Sequence, residues 1–185
     1  MSPHSSLHGR YRSRSQARML ALQALCVYEA VGDAFAADLN DFLRDGLVLE
    51  DLEIEQPPPA ELLAFARTLV DGAWARRPGY DDLLSRTVTH WRIGRMPPVD
   101  RNVLRLGLFE LLDQREAAPA IIINEAVELA RRFGDKDSPA FVNGVLDAIR
   151  RACEPGAPQA GTPATGEAGP APAADTEAPR PAPAE

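Results

Sequence analysis

The sequence has few of the residues that metal centres and redox sites need. Of its 185 residues, two are cysteine and three are histidine. Cys26 and Cys153 lie far apart in the chain, which argues against a disulfide framework and suits a reduced cytosolic protein. His4, His8 and His90 have no Cys, Asp or Glu at metal-ligand spacing. We therefore expect neither a metal site nor a redox centre.

The sequence also lacks the motifs of common active sites. It has no phosphate-binding loop and no nucleophile elbow. The adjacent acids Asp81 and Asp82 fit a solvated helix N-terminus better than a catalytic dyad, because the helix dipole favours negative charge there. These absences predict a protein that is not an enzyme and needs no cofactor.

No segment shows the sustained alternation of a β-strand, and none is long enough to span a bilayer. The Arg- and Ser-rich start, followed by the apolar residues 20–31, could be mistaken for a targeting peptide. However, Gln23 and Glu29 interrupt the apolar run, and Leu25 before Cys26 fits a cleavage site poorly. We therefore expect a cytoplasmic protein.

The last thirty or so residues contain no large apolar side chain. Residues 155–185 are almost wholly Pro, Ala, Gly, Thr and acidic residues, which cannot offset the entropy of ordering. We expect three parts: a flexible basic arm (1–13), an all-helical domain (14–153) and a disordered tail (154–185).

Most of the domain shows apolar residues at helical spacing, which predicts a compact all-α bundle of about seven helices. The first predicted helix ends at about Gly32, the second covers residues 33–46, and an acidic loop over 47–59 follows. A third helix over 59–77 and a fourth over 80–91 are separated by a break at Pro78-Gly79. A central helix over 100–114 precedes the two final helices.

The two final helices lie within residues 121–151 and meet at a short polar elbow, residues 134–138. Gly134 follows the first of them, where a C-terminal cap favours a residue that tolerates positive φ. Ser138 and Pro139 then predict an N-cap and first-turn proline for the second. The elbow therefore presents Lys136, Asp137 and Ser138.

The N-terminal arm is the clearest functional feature that the residues alone provide. Arg10, Arg12, Arg14 and Arg18 all precede Glu29, the first acidic residue, although the whole chain has a formal charge of -7. Guanidinium groups neutralise phosphates, and Tyr11 offers a ring for stacking on an unpaired base. Binding to RNA and a merely solubilising terminus both fit this composition.

Gly144 is unusual because glycine inside a helix is about 1 kcal/mol less favourable than alanine. The interpretation that we favour from sequence is close approach of another helix over Gly144, with the amides of Asn124 and Asn143 bonded in the interior. The alternative places Asn143 at an RNA surface.

Three separated motifs carry a family resemblance. They are INEAVELARRFG with FVNGVLD (residues 123–134 and 141–147), ARMLALQAL (17–25) and VLRLGLFEL (103–111). In this order and spacing they resemble the NusB family of transcription antitermination factors. One departure is Cys26, where many relatives have an aromatic residue, so a stacking contact there is not expected.

The resemblance implies a function and a set of contacts. It implies binding to single-stranded boxA RNA of ribosomal RNA leaders, through an Arg-rich N-terminus and the elbow, and assembly with the ribosomal protein NusE in the transcription elongation complex. Carried over, the RNA-binding residues are Arg10, Arg12, Arg14, Arg18, Lys136, Asp137, Ser138 and Phe141. The residues carried over for NusE are Asp100, Arg101, Leu104 and Phe109.

Two other functions stay open at this point. One is an RNA-targeting module like the NusB-like domain of some ribosomal RNA cytosine methyltransferases, although no catalytic domain follows Arg151 in this sequence. The other is a helical scaffold that does not bind RNA. The sequence also leaves open whether the protein is a monomer or a homodimer.

Overall fold

The computed structural model describes residues 3–54, 57–88 and 93–153, with side chains from residue 14 onward. The predicted tail lies outside these residues. Within them the chain forms seven α-helices and no β-strand, which confirms the all-α prediction. The helices are α1 (Pro3–Val31), α2 (Leu39–Phe42), α3 (Gly46–Asp51), α4 (Ala60–Thr87), α5 (Pro98–Leu108), α6 (Pro119–Phe133) and α7 (Ser138–Ala152).

The centre of the bundle is α5, as its apolar sequence predicted. It packs against α1, α4, α6 and α7, and its side chains are buried on nearly all sides. One polar side chain in this core is Arg105, whose Nε and Nη2 donate to the carboxylate of Asp81 at 2.8 and 2.6 Å. Asp81 therefore lies within α4 as the partner of a buried arginine, and the prediction of a solvated helix N-terminus is wrong for it.

The segment Arg14–Ala37 is long and apolar enough, by length and composition alone, to cross a membrane, so the prediction that no segment reaches that length is wrong. The core helix of a globular bundle passes the same test. Here α1 packs against α4 and α5, and Leu20, Leu22 and Leu25 are almost fully buried. Its apolar side chains therefore form part of the protein core.

α4 runs through Pro78 without a break, so the two helices predicted on either side of Pro78-Gly79 are one. Proline has no N–H, which leaves the carbonyl of Trp74 without its helical donor. The Arg77 side chain supplies the missing donor, because its Nη1 donates to the Trp74 oxygen at 2.7 Å. Its guanidinium also lies 3.8 Å from the centre of the Trp74 ring.

Three predicted boundaries differ from the structure. α1 begins at Pro3, so the backbone of the predicted flexible arm is helical from that residue. A 3-10 turn (Gly32–Ala37) and the short α2 replace the single predicted second helix. The predicted acidic loop contains α3, because the Asp45 carboxylate accepts bonds from the N–H groups of Leu47 and Val48 and caps its first turn.

Candidate nucleic-acid and partner interface

The elbow between α6 and α7 is held by backbone and serine contacts. Gly134 has φ −96° and ψ −175°, so the positive φ predicted for it is absent. A side chain there would still be excluded, because a Cβ would lie 2.7 Å from the Ala130 oxygen and the Ser138 Cβ. The Ser138 hydroxyl accepts a bond from the Asp135 N–H at 2.9 Å. Ser138 is thus the buried first residue of α7, and its predicted N-cap role belongs to position 137.

A groove of about 370 Å³ lies between the elbow, the start of α7 and the start of α5. We call it the elbow groove, and its lining residues are Met96, Pro97, Asp100, Asp135, Asp137, Ser138 and Phe141. Asp137 is exposed, Phe141 is half-buried and Ser138 is buried, while Lys136 is exposed next to them in the elbow. The structure therefore brings residues predicted for RNA together with Asp100, which was predicted for NusE.

Asp100 is the chemically unusual residue of the elbow groove. Its side chain is 6% exposed, and its Oδ1 has no hydrogen-bond partner within the described part of the chain. Burial raises the pKa of Asp100, a hydrogen bond from Ser138 opposes that shift, and the nearby Asp135 raises the pKa further. A buried acceptor without a donor destabilises a fold by about 1–3 kcal/mol, and this oxygen has almost no accessible surface.

The other residues predicted for NusE lie in the core or are held by it. The Arg101 guanidinium donates to Glu29 at 2.6 Å and to the carbonyls of Ile93 and Met96. Leu104 has no exposed surface and Phe109 is 7% exposed. The structure corrects this part of the prediction: the apolar residues of a central helix fill the core, and the arginine stabilises the fold.

The predicted arm residues are in contrasting surroundings. The side chains of Arg10 and Arg12 lie outside the described residues. Arg14 is exposed, pairs with Glu116 at 3.1 Å and lies over the Phe65 ring.

Arg18 is 3% exposed, and its Nε and Nη2 donate to the Glu110 carboxylate at 2.8 and 2.6 Å. Glu125 lies 3.3 Å from its Nη1. Arg18 is therefore a core residue and has no free surface for phosphate. Arg18, Leu22 and Leu25 are spaced four and three residues apart, which places them on the same face of a helix. This spacing is the sequence signal for the burial of Arg18.

A second groove, missed from the sequence, runs between α6 and α7. We call it the α6–α7 groove; its volume is about 640 Å³, and it is lined by Pro119, Ala120, Ile123, Asn124, Val127, Asn143, Asp147 and Arg150. Asn124, Asn143 and Gly144 are all exposed, and a Cβ added to Gly144 meets no atom within 4 Å. The favoured interpretation of a glycine under a packed helix, with interior amides, is therefore wrong.

The end of the arm and the elbow lie at different places along α6. Arg14 contacts Glu116, ahead of α6, and the Ser15 hydroxyl donates to Glu125 at 2.7 Å. The elbow follows Phe133, which is eight residues beyond Glu125, or roughly 12 Å along a helix axis. The two predicted RNA-binding regions are therefore separate on the surface. Among the residues that the structure describes, no group of three or more His, Cys, Asp or Glu could hold a metal ion.

Comparison with known proteins identifies close relatives over most of the chain. The model of the NusB family matches residues 15–151. The transcription antitermination protein NusB of Desulforapulum autotrophicum is 42% identical over 137 residues, which cover 74% of this chain and 90% of that protein. The protein of the same name from Sorangium cellulosum is also 42% identical over 137 residues, covering 74% of this chain and 91% of its own length. These relatives are named for antitermination and not for a catalytic activity.

Solved structures give the same result. The NusB of T. maritima is 33% identical with a TM-score of 0.59, covering 75% of this chain and 90% of its own. A crystal structure of the antitermination factors NusB and NusE in complex with double-stranded RNA matches with 29% identity and a TM-score of 0.61, covering 76% of this chain and 98% of that one. The family model, the relatives and the fold agree, and the chain belongs to the NusB family.

Proposed function

We propose that this chain is a cytoplasmic transcription antitermination factor that binds boxA-type RNA together with NusE and so suppresses premature termination in ribosomal RNA operons. The observation that carries the proposal is its match to the solved complex of NusB, NusE and RNA over 76% of its length. No catalytic step is involved. One weak RNA contact and one protein contact combine through effective concentration, which tethers the RNA to the elongation complex.

We assign phosphate binding to the arm, through Arg10, Arg12 and Arg14. The Arg14 side chain is 47% exposed and its partner Glu116 is 52% exposed. Such a solvated pair contributes about 0–1 kcal/mol to stability, so a phosphate can replace the carboxylate at little cost. Phe65 below the guanidinium keeps it at the surface. Arg18 is left out of this site because its charge is already neutralised in the core.

We assign a different role to the elbow groove, since three of its lining residues are carboxylates. Asp100, Asp135 and Asp137 would repel a phosphate, but they accept hydrogen bonds from base edges or from basic groups of a protein. We propose that Asp137 and Phe141 contact a base, with Lys136 beside them, and that NusE docks at the end of the groove where Asp100 lies. RNA and NusE would then meet at this groove.

The test is a titration of boxA-type RNA, single-stranded and double-stranded, at several salt concentrations with and without NusE. Replacing Arg10, Arg12 and Arg14 with alanine should weaken all single strands alike and lower the log–log salt slope by about 2, at roughly 0.7 per contact. Asp137→Asn should instead change the preference for boxA over a scrambled strand. Unchanged affinity and slope in the triple variant would refute phosphate capture by the arm.

A further inference from the structure

The α6–α7 groove has the chemistry of a site for a flat polar ligand. Ile123 and Val127 supply an apolar surface between two exposed amides, Asn124 on α6 and Asn143 on α7. Each amide carries two donors and an acceptor. Within the described residues neither amide takes part in a hydrogen bond, so both are available to a ligand.

Gly144, which follows Asn143 in α7, adds an independent observation. Glycine inside a helix is less stable than alanine, and only packing or an unusual φ normally requires it. Neither applies here, because Gly144 has no positive φ and its missing Cβ would meet nothing within 4 Å. The bare backbone next to Asn143 therefore leaves room for a molecule that is not part of the fold.

Charge indicates what kind of molecule this is. The residues that line the α6–α7 groove and the pocket adjoining it include two arginines, Arg115 and Arg150, against one carboxylate, Asp147. A smaller pocket of about 300 Å³, which contains Arg115, shares Pro119 and Arg150 with the groove, so the two are continuous. The surplus of positive charge favours a polyanion, unlike the acidic elbow groove.

The α6–α7 groove is also continuous with the arm. Its Pro119 end follows Glu116, which binds Arg14, and Asn124 is adjacent to Glu125, which binds Ser15. A strand held by the arm arginines therefore reaches this groove before it reaches the elbow.

We propose that the α6–α7 groove binds an unpaired base of single-stranded RNA, with Asn124 and Asn143 bonding its edge and Gly144 allowing its close approach. This inference rests on the proposed RNA-binding function and names a base-reading site within it. Amide side chains pair with base edges through one donor and one acceptor, and unpaired bases present those edges freely.

The experiment is a fluorescence titration of a boxA-type single strand, and of a series in which each base is changed in turn. We expect Asn124→Ala and Asn143→Ala each to weaken binding by about 5- to 100-fold with an unchanged salt slope, because a base contact and no phosphate contact is lost. In the parent, changing the base at one position of the strand should lower the affinity. In the Asn124 and Asn143 variants, the same base change should have no effect. Gly144→Ala should weaken binding although its melting temperature rises.

The matched control is Asn40→Ala, which removes an exposed amide on α2 that bonds Arg67 and lies outside the groove. It should bind every strand like the parent. If the parent binds RNA and the groove variants bind it equally well, the inference is overturned and the proposed function stands. Loss of NusE affinity with unchanged RNA affinity would also overturn it, in favour of a protein-docking groove. A parent without RNA affinity would overturn both.

Discussion

Arg14 and Arg18 lie one turn apart on α1 and show how surroundings decide the role of a residue. The first is exposed over Phe65, and the second is enclosed between Glu110 and Glu125. Their sequence context is the same run of basic residues. Only the inward spacing of Arg18 with Leu22 and Leu25 separates them, and charge composition does not reveal it.

We predict that Arg18→Ala lowers the free energy of unfolding by about 3–5 kcal/mol, because it leaves the buried carboxylate of Glu110 unpaired and removes one of the partners of Glu125. Arg14→Ala removes a solvated pair and should change it by about 1 kcal/mol or less. Urea unfolding followed by circular dichroism measures both. Equal effects of the two substitutions would contradict the burial of Arg18.

Asp100 leads to a prediction about pH. Burial and Asp135 raise its pKa in the folded protein, so the folded state holds a proton at pH values where the unfolded chain has lost it. The free energy of unfolding then falls as pH rises from the ordinary aspartate pKa through the folded one. Asp100→Asn should therefore be more stable than the parent at pH 7, and this difference should shrink as the pH falls through that window. Asp41→Asn, at an exposed position, is the control. A pH-independent difference would contradict the account.

At the scale of elements, helices with a clear apolar stripe were predictable and their interruptions were not. α6 and α7 begin and end within a few residues of the predicted bounds, because their apolar spacing and flanking Gly134 are local signals. The continuity of α4 through Pro78 depends on a bond from the Arg77 side chain, which no helix propensity includes. α3 begins after a cap by Asp45 and lies mostly in the segment 47–59, whose acidic composition resembles that of a loop.

The repair of α4 can be tested by a double-mutant cycle. Arg77→Ala should destabilise the parent by about 1–3 kcal/mol, since the Trp74 carbonyl loses its donor and the ring loses its cation. In a Pro78→Ala background the N–H of residue 78 can again donate to the Trp74 carbonyl. Arg77→Ala should therefore lower the free energy of unfolding by less in that background. Thermal and urea unfolding of the four proteins give the coupling. A coupling of zero would show that Arg77 does not replace the missing helical bond.

At the scale of the whole molecule, fold and family followed from the sequence, whereas the surface did so only in part. The resemblance placed Leu104 and Phe109 at a partner surface, but both fill the core of the bundle. The spacing of apolar residues predicts that α5 is apolar on most sides. It does not indicate whether Asp100 or Arg101, near the start of α5, is accessible to a partner. The three-dimensional arrangement also separates the arm from the elbow and exposes a groove between them. We therefore expect several weak contacts, distributed along α6, to act together.

The most direct test of the central claim is readthrough of a terminator by RNA polymerase in vitro on a template that carries a boxA element upstream. With NusE and the other components of the elongation complex present, adding this protein should increase readthrough, and scrambling boxA should abolish the increase. Omitting NusE should reduce it strongly, because the tether needs both contacts. Readthrough that is unaffected by the protein, or that rises equally on the scrambled template, would contradict an antitermination function through boxA.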